Sequence, residues 1–289
     1  MLKKLIKHEW KSTSKIGVVL LLVIAGMTLF GTLGVVLPVN YIQSHRLADG
    51  DEMATYLLTM TIFMSVVLYI ITFVGVTYGM TIYQGVHFYK TMYSEEGYLT
   101  HTLPVTPRQL LVSKTLVAGI WYLLVGLGII LSIGILLGTL FVSLIDFDTV
   151  RQMRMMESEM REMLQSLRAS TSYALIHAAI YIIMAVIITP FSTMMMLFGS
   201  LTVGQLSRKY RAFIGILVYI GVVFVNSILG NIIRGVFSVL GMLAEDNSGL
   251  ASFLITFGPY DTILLLNAGL AVAFYFISQY ILKKKLNLE

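Results

Sequence analysis

The chain has 289 residues, 57% of them hydrophobic and 12% charged, with a net charge of +5 and no cysteine. A soluble domain carries about 25% charged residues, so water is excluded as the solvent of most of this chain. Disulfides and thiolate metal sites are excluded outright, and no basic patch interleaved with stacking aromatics sits in a soluble region, which argues against a nucleic-acid partner.

The charges cluster between apolar runs. Residues 16–44, 53–89, 115–145, 169–207, 212–233 and 262–282 contain no Asp, Glu, Lys or Arg. A hydrocarbon core about 30 Å thick needs roughly 20 apolar residues as helix, and each run supplies them. A charge at mid-bilayer costs at least about 2.5 kcal/mol on insertion scales, which keeps the ionic residues out of the runs. The pattern predicts an all-α integral membrane protein with six transmembrane helices, forming a single transmembrane domain over residues 1–289.

In chain order, residues 1–15 come first. Leu2, Leu5, Ile6 and Trp10 form an apolar stripe at helical spacing, with Glu9 and Thr13 in the same register and Lys3, Lys4, Lys7 and Lys11 mostly off it. Such a helix lies in the membrane interface, with Trp10 at headgroup depth. The apolar run behind it is too long for a signal-peptide core and no small-residue cleavage site follows, so a retained helix is expected. The first span, 16–37, should stop near Pro38, and a short outer loop holds Arg46, Asp49, Asp51 and Glu52. The second span is 56–83, followed by a cytoplasmic stretch over 84–114. The third span, 115–145, carries Gly119, Gly126, Gly128, Gly134 and Gly138, which permit close helix packing in lipid.

Residues 146–172 are too charged to span. Val150, Met153, Met156, Met160, Met163, Leu164 and Leu167 recur every three or four residues, which predicts an extracytoplasmic amphipathic helix. The fourth span, 173–199, should kink at Pro190. The fifth is 213–229. Residues 230–258 hold Arg234 and a polar turn around Asp246 and Asn247, and are expected to form an outer re-entrant segment of two short pieces. The sixth span, 260–282, ends at the triplet Lys283, Lys284 and Lys285.

Basic residues mark the cytoplasmic side. The N-terminus, the second and fourth connections and the C-terminus together hold fourteen of the twenty. Both termini are therefore expected in the cytoplasm.

The chain lacks several chemical devices. No lysine follows a glycine, so there is no phosphate-binding loop of the G-x-x-x-x-G-K-[ST] kind. The five histidines are scattered, and no G-x-S-x-G elbow occurs. The one carboxylate within an expected span is Asp261, at the outer start of the sixth, and the absence of any deeper one disfavours proton-coupled transport and intramembrane aspartyl proteolysis. Asp261 reads as a complement to a helix dipole, His177 as a packed or interfacial histidine, and Arg234 as a contact for cargo or a lipid headgroup, or as a snorkelling side chain. No catalytic residue, metal site or bound cofactor is expected, and the chain is not expected to be an enzyme.

Within 84–114 the residues Glu95, Glu96, Gly97, Leu99, Leu103, Pro104, Pro107 and Arg108 form an acidic–glycine element, spaced leucines and a proline-stiffened turn. This stretch resembles the loop after the second helix of type-2 ABC transporter permeases. The resemblance implies a coupling helix that docks on a separate ABC ATPase subunit, where ATP and Mg would bind. It also implies that the N-terminal segment, with Leu5 and Trp10, is an elbow helix. A second permease copy or a related chain would complete the pathway in a bacterial plasma membrane, surrounded by membrane lipid. The expected cargo is an antimicrobial peptide, a drug or a lipid-linked molecule. The alternative is a non-transporting membrane sensor or scaffold. The charged insertion within 146–172 is larger than the minimal family pattern.

Overall fold

The computed structural model of the chain describes residues 2–45, 52–94, 97, 105–144, 157–243 and 249–284. They form six helices: α1 (Leu2–His45), α2 (Glu52–Tyr93), α3 (Pro107–Leu144), α4 (Glu157–Gly204), α5 (Arg211–Leu243) and α6 (Gly249–Lys284). Each contains a stretch long and apolar enough to cross a membrane. Leu29, Phe63, Leu131, Ile183, Phe224 and Leu265, one from each helix, are all more than half exposed. A water-soluble protein does not turn such residues outward from every helix. Lipid as the surrounding medium accounts for them, because helices satisfy their own backbone and need only apolar side chains toward the bilayer.

The helices are longer than the expected spans. The interfacial segment and the first span are one 44-residue helix, and Pro38 lies inside it. At 1.5 Å per residue this is about 66 Å, twice the hydrocarbon core. No glycine or proline separates residues 2–15 from the first span, so nothing local ends the helix. The amphipathic segment likewise does not stand apart from the fourth span: α4 runs unbroken from Glu157 for 48 residues, with Pro190 inside it, and residues 145–156 lie outside the described residues. The two pieces of the re-entrant segment expected over 230–258 do not stand apart from the neighbouring spans either. α5 continues through Gly230 and Arg234 to Leu243, and α6 begins at Gly249 with Pro259 inside it. Proline in a lipid-embedded helix is tolerated because neighbouring groups re-satisfy the freed carbonyl.

The chain divides into two compact units. One comprises residues 1–13, 81–123 and 168–289. Its core joins Phe88 and Met92 of α2, Leu110, Leu111 and Ala118 of α3, Met194, Leu197, Phe198 and Leu201 of α4, and Leu282 of α6. The Phe88 and Phe198 rings stack with centroids 4.1 Å apart. Thr202 donates to the Phe198 carbonyl, and the Tyr93 and Thr202 hydroxyls are 2.7 Å apart. At the end of α4, a side chain on Gly204 would strike the backbone of Gly215, so only glycine lets the start of α5 approach this closely. The connection between these helices places Tyr210 at φ 60°, in the left-handed region.

The other unit comprises residues 14–80 and 124–167. Ile24, Val35, Tyr69, Val76, Met80 and Leu136 are buried in it. The Thr28 hydroxyl of α1 donates to the Ile24 carbonyl and contacts the Ser132 hydroxyl of α3, which in turn contacts the Tyr69 hydroxyl of α2. Close approach comes from small residues: a Cβ on Gly31 would lie 2.9 Å from the Tyr69 ring. This is the small-residue and hydroxyl packing that lipid, offering no hydrophobic drive between helices, makes necessary.

Candidate functional site

The connection between α2 and α3 is anchored at both ends. α2 closes on buried Met92 and half-buried Tyr93. The Gly97 amide then donates to the Ser94 carbonyl at 2.7 Å. A Cβ at this position would sit 2.6 Å from the carbonyl of Met92, so the glycine permits a tight turn against the helix end. At the other end the Gln109 amide donates to the Thr106 hydroxyl, and the Thr106 amide donates to the Gln109 side-chain carbonyl, both at 3.3 Å. This is a capping box, with Pro107 at the first helical position where its missing N–H costs nothing. Arg108 stands exposed in the same first turn, where a cation is unfavourable to the helix dipole. Leu110 and Leu111 follow directly and are buried. Of the sequence-named residues here, Gly97, Pro107 and Arg108 are placed by the structure. Glu95, Glu96, Leu99, Leu103 and Pro104 lie outside the described residues.

Beneath this connection lies a charged cluster that sequence reasoning did not assemble. Glu9 of α1 accepts from Lys114 Nζ of α3 at 2.5 Å, and its other carboxylate oxygen is 3.1 Å from His87 Nε2 of α2. Lys114 also donates to the Thr91 hydroxyl at 2.7 Å. The Lys114 side chain is 3% exposed, so an unpaired ammonium there would be prohibitive. The Tyr83 hydroxyl donates to the Ser12 carbonyl at 3.4 Å, and the Trp10 and Trp121 rings lie 4.8 Å apart, which adds two further α1 contacts.

This cluster redefines the N-terminal segment. Its expected apolar stripe does face protein, since Leu5 packs on the core and Trp10 on Trp121. The buried residues of that face are nevertheless polar, Thr13 and the carboxylate Glu9. One signal could have found it: Glu9 is the only carboxylate among the first 48 residues, and it shares a helix face with Leu5 and Trp10. The cavity bordered by Glu9, Gln84, His87 and Lys114 measures about 10 Å³, which holds nothing larger than a water molecule. The physical effect of the cluster is to clamp three helix ends together. Among the described residues, no group of three His, Cys, Asp or Glu side chains could hold a metal ion.

Three other sequence-named residues resolve simply. Asp261 pairs with His177 at 3.0 Å, joining α6 to α4; α6 begins at Gly249, so Asp261 does not stand at its N-terminus as expected, while His177 packs against the Phe257 ring. Arg234 is exposed on α5 and donates to the Asn231 side chain at 3.3 Å. Asn226 and Asn267, unremarked in the sequence, share a hydrogen bond of 2.7 Å between α5 and α6. No protein-family model, curated protein or solved structure matches this chain.

Proposed function

We propose that this chain is the membrane-spanning permease subunit of an ATP-driven ABC exporter, lying in a bacterial plasma membrane with both termini in the cytoplasm. It docks a separate ATPase subunit, which binds ATP and Mg, through the stretch from Glu95 to Arg108. A second permease copy or a related chain completes the pathway, and the cargo is an antimicrobial peptide, a drug or a lipid-linked molecule.

The observation that supports this reading is the rooting of the α2–α3 connection. Met92 before it and Leu110 and Leu111 after it sit in one buried cluster, and Lys114 ties the start of α3 to Glu9 of α1 and Thr91 of α2. A push delivered by a partner to such a connection reaches three helices at once instead of dissipating in a slack loop. Arg108 fits the same reading: a cation exposed in the first turn of a helix is unfavourable for the helix and free to meet an acidic partner surface.

The test is co-purification. The wild-type chain should retain an ABC ATPase and stimulate its ATP hydrolysis. A variant carrying Leu103→Ala, Pro104→Ala and Arg108→Ala should fold and lose the partner. Undiminished retention by that variant would refute the docking assignment, and a wild-type chain that retains no ATPase would favour the sensor or scaffold alternative.

A further inference from the structure

One feature of the first unit is used by neither the coupling connection nor the charged cluster. A groove of about 700 Å³ runs between α2, α4 and α5, within the size range of small-molecule sites. Its walls include Ile82 and Val86 of α2, Leu197 and Leu201 of α4, and Ile216 of α5. Ile82, Val86 and Ile216 are each about half exposed or more, so the groove opens sideways, toward lipid. Along α2 it extends from Thr81 to Lys90 before reaching Ser94, past the end at residue 83 expected for the second span but within the apolar stretch Tyr56–Tyr93 of this helix. Nine residues of helix rise about 14 Å, close to the half-thickness of a hydrocarbon core.

Among the described residues, the charge at its end is of one sign. Lys90 lines the groove and is exposed, and no described carboxylate pairs with it. Ala212, which also lines it, directly follows Arg211, and Arg208 and Lys209 belong to the same connection. In sequence, the carboxylates nearest Lys90 are Glu95 and Glu96, which lie outside the described residues. An apolar slot one leaflet deep, with a lysine at its mouth and a basic connection beside it, matches an amphiphile with an anionic head.

We propose that this groove is a binding site for an anionic phospholipid of the cytoplasmic leaflet, its acyl chain against Val86, Leu197 and Ile216 and its phosphate at Lys90. The site uses the orientation given above but no part of the ATPase docking assignment. It is tested on this chain alone.

The test is native mass spectrometry of the purified full chain in detergent, titrated with phosphatidylglycerol or with phosphatidylcholine of the same acyl chains. Wild type should retain phosphatidylglycerol about fivefold more strongly, the worth of one basic residue near an anionic headgroup. Lys90→Gln, a surface change that leaves the fold intact, should bring the two lipids close to parity. Ile216→Trp, or Ala212→Phe should that variant misfold, should reduce retention of both lipids by filling the slot. Equal retention of the two lipids by wild type, or an unchanged preference in Lys90→Gln, would overturn the proposal. So would a dimer peak that Ile216→Trp removes without altering lipid retention, because a second copy of the chain would then occupy this face.

Discussion

Two polar knots fasten the same three helices, and they are made of different chemistry. In one unit, α1, α2 and α3 meet through a carboxylate, an imidazole and an ammonium: Glu9, His87 and Lys114. In the other they meet through three neutral hydroxyls, Thr28, Tyr69 and Ser132. The sequence positions explain the difference. Glu9 precedes the first charge-free run, Lys114 immediately precedes the third, and His87 falls near the end of the second. Thr28, Tyr69 and Ser132 fall in the middle of those runs, where an ion would carry the full insertion cost and a hydroxyl carries little. A threonine hydroxyl bonds to its own helix whether or not a neighbour is present, as Thr28 does to Ile24 while also meeting Ser132, so its desolvation is covered in either state. An ion pair has no such fallback and is either complete or costly.

The comparison is broken most severely at Glu9. Glu9→Ala leaves the Lys114 ammonium buried without its carboxylate and should destabilise the protein by about 3–5 kcal/mol, read as a large fall in thermal midpoint in detergent. Lys114→Met in the same chain should recover most of that loss, because the uncompensated charge goes with it. If the two changes simply add, the pair is not coupled. In the hydroxyl knot the effect should be smaller. Ser132→Ala removes the group that both Thr28 and Tyr69 touch, at about 0.6–1.7 kcal/mol for each interhelical bond. A loss as large as that of Glu9→Ala would contradict the distinction drawn between the knots. The smallest expected effect lies away from both. Tyr210→Gly relieves a left-handed conformation that costs an L-residue about 1–2 kcal/mol, offset by greater freedom in the unfolded chain. A thermal midpoint unchanged or slightly raised is expected, and a clear fall would mean that the Lys209 ammonium over the Tyr210 ring, 5.2 Å from its centroid, outweighs the strain.

The helical spans were legible because each is written locally, in an uninterrupted stretch of apolar residues. The cap of α3 went unread, although Thr106, Pro107 and Gln109 stand at the spacing that a capping box with proline at the first helical position requires. The lengths of the elements were not legible. A membrane surface changes the solvent along a helix without changing its hydrogen bonding, so the charges of residues 2–15 and 157–168 suggested boundaries where the backbone continues. The coupling stretch was nominated by its motif, and the structure places only Gly97, Pro107 and Arg108 of it. The groove was not legible at all, since its walls come from three helices and no two of them share a motif.

What the sequence by itself determined is where this protein meets lipid. The cost of placing a charge in hydrocarbon belongs to each residue and its neighbours along the chain, so six apolar stretches separated by ions specify six membrane-crossing helices. What only the tertiary structure decided is which polar residues satisfy one another. Glu9 finds His87 and Lys114 across 78 and 105 residues, because the rotation and register of three helices bring those faces together. Rotation and register are set by packing at Gly119, Phe198 and residues like them on other helices, and a residue's local neighbours carry no record of them.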